Sequence, residues 1–123
     1  HYGVDFAAPY GSKVMAASDG VITYAGYENG YGNVIKIRFN SEYSTLYGHL
    51  SRFSEGIHSG KHVKEGEVIG YVGSSGLSTG AHLHYELHIN GQPFDPLSAK
   101  LPSGYSLSGR DRNIFNQFEK RIL

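Results

Sequence analysis

The tightest constraint on this chain lies between His82 and Ile89. There Leu83, Tyr85 and Leu87 alternate with His82, His84, Glu86 and His88. A period of two is that of a β-strand, so the apolar side chains share one face and the histidines share the other. Two imidazoles two residues apart on one face can aim at a single point a few ångström above the sheet. Neutral imidazole is the commonest biological metal ligand, and a catalytic zinc site takes three protein ligands and keeps one open position. Histidines spaced this way also describe an ordinary solvated strand face, so the rest of the chain has to decide.

The 123 residues fit one domain. Seventeen glycines, ten tyrosines and no tryptophan suit a turn-rich β protein. Eleven basic residues balance eleven acidic ones, which argues against a nucleic-acid partner. There is no cysteine, hence no disulfide framework and no thiolate metal site. No apolar run reaches membrane-spanning length. The chain opens at His1 without an initiator methionine, and it is expected to be a piece of a longer, exported protein.

At the start, His1 and Asp5 are four residues apart and bent by Gly3, so both can reach one metal; a solvated terminus would read the same way. Lys13 to Ala17 reads as a short strand. Asp19-Gly20 is a hairpin signal, with Val21 to Ala25 as the returning strand. Asn29-Gly30-Tyr31-Gly32 is a glycine-rich loop without the lysine of a phosphate cradle. Asn33 to Phe39 and Tyr43 to Leu50 form a strand pair, with His49 projecting from the end of the second strand beside Gly48. His58 and His62 are flanked by glycines and read as solvated. Ser74 to Gly80 is a polar loop that feeds the histidine strand and can shape the rim of a site. Asn90-Gly91 turns the chain, and Pro93 to Pro96 ends the β part. Ser108 to Asp111 then resembles a capping box, followed by Ile114, Phe115, Phe118 and Ile122 on one helical stripe. The reading is a β domain over residues 1–100 and an extension over 101–123 with one amphipathic helix packed on the domain.

His1 with Asp5, then Gly48-His49-Leu50-Ser51, then Ser78-Thr79-Gly80 leading into His82, His84 and Glu86, occur in that order. Together with Val63 to Gly76 they closely resemble the lysostaphin/LytM-type zinc endopeptidases, which cut peptide cross-links in bacterial cell walls. The resemblance runs from His1 to about Pro96. It implies a mostly β fold, an open, barrel-like antiparallel sheet with a groove. It implies one zinc ion per chain, bound by His1, Asp5 and His84, with His49 and His82 as the catalytic histidines. It also implies a peptidoglycan substrate and a periplasmic or cell-envelope location. The helical tail looks more like Gram-negative members, whose target is the D-alanyl–diaminopimelate cross-link, than like lysostaphin with its glycine bridges. Relatives that only bind and activate another wall hydrolase lack some of the five residues, all of which are present here. An upstream segment of the same protein is expected to block the groove.

Two imidazoles and one carboxylate leave zinc a charge of about +1, strong Lewis acidity and the power to lower the pKa of water to about 7. His82, beside the ligand His84 on the same strand face, is the first choice of base. His49 is assigned to the oxyanion and to proton delivery, and the two roles can be exchanged. Glu86, on the same face, is a candidate for orienting a ligand histidine.

Overall fold

The computed structural model describes residues 3–76, 78, 80–94 and 120–122. Among the described residues ten strands make one sheet: β1 (Val4–Ala7), β2 (Lys13–Met15), β3 (Gly20–Glu28), β4 (Gly32–Arg38), β5 (Tyr43–Phe53), β6 (His62–Val63), β7 (Val68–Val72), β8 (His82–Ile89), β9 (Gln92–Phe94) and β10 (Lys120–Ile122). The main path runs β10-β1-β8-β5-β4-β3-β6, while β7 pairs with β2 and β5, and β9 pairs with β8. Every pairing is antiparallel. This is the open β-sheet expected from the sequence.

The histidine strand is central. It lies between β1 and β5, and its apolar residues Leu83, Tyr85 and Leu87 are fully buried. They pack with Val4, Phe6, Val14, Ile35, Ile37, Tyr47, Leu50, Ile69 and Val72 in one hydrophobic core. The Tyr47 and Tyr85 rings meet at 5.3 Å between centroids. Burial of side chains of this size contributes about 1.5–3 kcal/mol each, which is what holds β8 in register. A slip of one residue would turn the histidines into this core and the apolar residues out of it.

Four expectations change. Asp19-Gly20 does not join a β2–β3 hairpin: β2 pairs with β7, whereas β3 pairs with β4 and β6. Backbone bonds between Ala16 and both Glu67 and Gly66 carry β2 toward β7, and Asp19 accepts the Glu65 N–H instead of closing a turn. His49 is not at a strand end. It lies inside β5 with φ of 62°, a left-handed conformation uncommon outside glycine, at the point where β5 leaves β8 for β7. The β part does not end at Pro96, because Lys120–Ile122 returns to pair with β1. Ile122, the last residue of the expected helical stripe, therefore lies in a strand, and the remainder of that helix falls outside the described residues. The Asn90-Gly91 turn forms as expected, with both residues at positive φ between β8 and β9.

Candidate metal centre

Strand register brings the motif residues together. Asp5 of β1 stands opposite His84 of β8, and Gly48 of β5 stands opposite His84 on its other side. Asp5 Oδ1 lies 2.7 Å from His84 Nδ1, and His82 Nε2 lies 3.6 Å from the same oxygen. The His49 ring is 4.8 Å from that of His82 and 5.8 Å from that of His84, measured between centroids. Four of the five predicted site residues thus meet at one point on the sheet, although they come from three strands and span 80 positions of sequence. The fifth, His1, lies outside the described residues. Among the described residues no group of three or more histidine, cysteine, aspartate or glutamate side chains could hold a metal ion; Asp5 and His84 are two of the three expected ligands. His58 and His62 are exposed and away from this cluster, as expected.

The hydrogen bonds decide which nitrogens face the site. His49 Nδ1 is 2.7 Å from the Ser75 carbonyl. A carbonyl only accepts, so Nδ1 carries the proton and the Nε2 lone pair of the neutral ring is free. His82 Nδ1 lies 2.9 Å from the Gly80 carbonyl and 3.3 Å from Ser78 Oγ, with the same consequence. In the neutral rings of both predicted catalytic histidines the proton therefore sits on Nδ1 and the lone pair on Nε2. Residues of the Ser74–Gly80 loop make these contacts, which is the rim-shaping part expected of it.

His84 is held differently. Its Nε2 lies 2.7 Å from Glu86 Oε2. With Nε2–H donated to that carboxylate, Nδ1 is the atom left to share a cation with Asp5 Oδ1. The donor set, one imidazole nitrogen and one carboxylate oxygen converging with the far nitrogen pinned, fits a zinc centre of the His-and-carboxylate kind. The fit is close enough to exclude a side chain at Gly3: a Cβ there would come within contact of His84 Cε1 and within 2.6 Å of Nε2.

Glu86 is 3% exposed and accepts three hydrogen bonds, from His84, from His88 Nε2 at 2.7 Å and from the Tyr31 hydroxyl at 2.7 Å. Burial opposes its charge, but these donors prevail and hold the carboxyl far below the usual range. Burial also works against a charged His84, and the hydrogen bonds to Glu86 and Asp5 outweigh it, so its pKa rises above 6.5. His49 goes the other way. Burial pushes its pKa below 6.5, opposed in part by the Ser75 carbonyl, and keeps the ring neutral. Tyr31 is raised by burial and by the carboxylate it bonds. Tyr31 sits in the glycine-rich loop between β3 and β4, where no local sequence pattern marks it as part of the site.

Residues 1–96 match peptidase family M23. The chain belongs to that family. It is 54% identical over 103 residues, 84% of its length, to the DD-carboxypeptidase/endopeptidase Mpg of Neisseria meningitidis, and covers 23% of that protein. It is 40% identical over 115 residues, 94% of its length, to the peptidoglycan DD-endopeptidase ShyC of Vibrio cholerae, and covers 26% of it. The chain thus spans about a quarter of the length of these relatives. Among solved structures, a zinc-containing peptidase of Vibrio cholerae superposes with a TM-score of 0.78 at 37% identity, over 83% of this chain and 31% of that one. The catalytic domain of lysostaphin from Staphylococcus simulans superposes with a TM-score of 0.74 at 40% identity, over 79% and 76%. These likenesses bear out the lysostaphin/LytM resemblance and the mostly β fold.

Proposed function

We propose that the protein is a zinc-dependent endopeptidase that hydrolyses peptide cross-links of bacterial peptidoglycan, the D-alanyl–diaminopimelate bond in particular. The observation that carries the reading is the convergence of Asp5 Oδ1 and His84 Nδ1 with two histidines that are both anchored through Nδ1 to backbone carbonyls. The relatives named as DD-endopeptidases support the choice of bond.

His1, Asp5 and His84 are proposed to hold one zinc ion per chain, which when bound supplies Lewis acidity toward the scissile carbonyl and toward water. Glu86 keeps His84 turned so that Nδ1 faces the ion. His82 Nε2, 3.6 Å from Asp5 Oδ1 and so beside the ligands, takes the proton of the attacking water. Water oxygen adds to the carbonyl carbon and a tetrahedral oxyanion forms. The proton taken by His82 is relayed to Nε2 of His49, whose ring lies 4.8 Å away between centroids, and the imidazolium so formed faces the oxyanion and gives that same proton to the amine as the C–N bond breaks. The burial of His49 and its bond to Ser75 hold the ring on one line for this transfer.

The site of action is proposed to be the periplasm or cell envelope. Among the described residues no helix is long and apolar enough to cross a membrane. An upstream segment of the same protein is proposed to cover the groove. Digestion of purified diaminopimelate-type and glycine-bridged walls, with products identified by mass spectrometry, tests the reading. Release of D-alanyl–diaminopimelate cleavage products that stops on chelation is expected. Cleavage of glycine bridges alone, or hydrolysis indifferent to chelator, would contradict it.

A further inference from the structure

Tyr31 touches Glu86, the His84 ring and the backbone of His49 without belonging to any of the motifs that supply them. Its hydroxyl donates to Glu86 Oε2 at 2.7 Å, the same oxygen that receives His84 Nε2–H. Its ring lies 5.7 Å from the His84 ring between centroids, tilted by 32°. Its carbonyl accepts the His49 N–H at 2.7 Å, the bond that ties down the left-handed residue in β5. Gly48, opposite His84, borders it: a Cβ there would be in ordinary van der Waals contact, 3.4 Å from Tyr31 Cδ1 and 3.7 Å from His84 Cβ. The residue stands in the turn between β3 and β4, so this turn reaches across the sheet to β8 and β5 alike.

We propose that Tyr31 is a positioning residue that clamps Glu86, and through it the metal-facing orientation of His84, while its backbone carbonyl fixes the turn that presents His49. The inference rests on the reading of Asp5 and His84 as metal ligands. Two donors on one carboxylate oxygen fix where that oxygen sits. With the tyrosine hydroxyl gone, the carboxylate is held by His84 and His88 alone, which are both on its own strand and move with it. The orientation of the ligand ring is then set less sharply. Groups that orient a ligand in this way are worth about 10–100-fold in metal affinity. The two functions of Tyr31 separate by atom. The hydroxyl acts on the metal side, and the carbonyl, which any residue carries, acts on the His49 side.

Tyr31→Phe isolates the hydroxyl, since phenylalanine keeps both the ring beside His84 and the carbonyl on His49. Zinc dissociation constants are measured by competition with a chromophoric chelator for the unsubstituted protein, Tyr31→Phe, Glu86→Ala and the double variant. Wall hydrolysis is measured at limiting and at saturating zinc. Tyr31→Phe is expected to weaken zinc about tenfold and to recover hydrolysis to within threefold at saturating zinc. In the Glu86→Ala background the same substitution should change zinc affinity less than twofold, because the group it acts through is gone. Equal weakening in both backgrounds would overturn the proposal, as would a Tyr31→Phe single variant that binds zinc as tightly as the unsubstituted protein. The single variant decides the matter by itself if Glu86→Ala does not fold. An unsubstituted protein that bound no zinc would instead overturn the ligand assignment on which the inference stands.

Discussion

Replacing Gly3 by alanine asks how tightly the metal side of the site is built. The new Cβ would lie 2.6 Å from His84 Nε2 and 3.0 Å from the Tyr85 carbonyl, and closest of all to His84 Cε1. Non-bonded carbon contacts settle at about 3.5–4.0 Å, so the imidazole must retreat by roughly 1 Å. It has no free direction. Nε2 is bonded to Glu86 and Nδ1 faces Asp5, each at 2.7 Å. Nor can β1 back away cheaply, because Val4, next to Gly3, and Phe6 beyond it are buried in the core. A retreat of roughly 1 Å takes the Glu86 bond past the ~3.2 Å limit of a good hydrogen bond. A hydrogen bond to a charged group contributes about 1.5–3 kcal/mol, and 1.36 kcal/mol is a factor of ten. Gly3→Ala is therefore expected to weaken zinc about 10- to 150-fold. Competition titration against a chelator measures it, with the thermal midpoint of the metal-free protein as a check on folding. A folded Gly3→Ala protein that binds zinc within twofold of the original would refute the claim that the ring's place is fixed by these contacts.

Two further outcomes follow from the titrating groups. The His84 pKa is raised above 6.5 in the metal-free protein, so a proton competes for Nδ1 as pH falls through that raised value. Apparent zinc affinity should fall about tenfold per pH unit below that raised value, and dissociation constants that match at pH 8 and pH 5.5 would contradict it. His49 is depressed, so the sign is opposite: its base form persists below pH 6.5 and is lost only as pH falls through the lower value. Zinc-saturated hydrolysis should accordingly hold to below pH 6.5 and then drop, and an acid limb centred above pH 7 would count against His49 as a participant. Chelation should lower the thermal midpoint as well as abolish hydrolysis, since a ligand bound only by the folded chain stabilises it; a midpoint indifferent to zinc would argue that the ion is not held there.

Much of the site was legible because strand parity is a rigid rule. His82 and His84 had to share a face, and β8 had to bury Leu83, Tyr85 and Leu87. What parity could not supply was the partner strand. Asp5 reaches His84 only because β1 pairs with β8 across 79 positions of sequence, and the family resemblance supplied that pairing where the local pattern could not. The Asp19-Gly20 error has the same origin: turn chemistry is local, whereas the choice of β7 as the partner of β2 is made by contacts near Ala16 and Glu67. His49 was placed at a strand end because Gly48 precedes it, yet the strand runs on through a left-handed residue that only a tertiary partner, the Tyr31 carbonyl, can hold. Tyr31 itself went unread because its work depends on three strands meeting. A lone tyrosine between two glycines was the available signal.

The division of the four histidine-cluster side chains into holders and movers of protons is tested most directly by zinc content measured alongside hydrolysis. Elemental analysis and digestion of purified wall would be run on the original protein and on His84→Ala, His82→Ala and His49→Ala. His84→Ala is expected to lose zinc and activity together. His82→Ala and His49→Ala are expected to keep about one zinc per chain and to turn substrate over roughly a hundred- to thousandfold more slowly, the range set by removing a single group that acts on developing charge. Equal loss of zinc from His82→Ala and His84→Ala would contradict the account and make His82 a ligand.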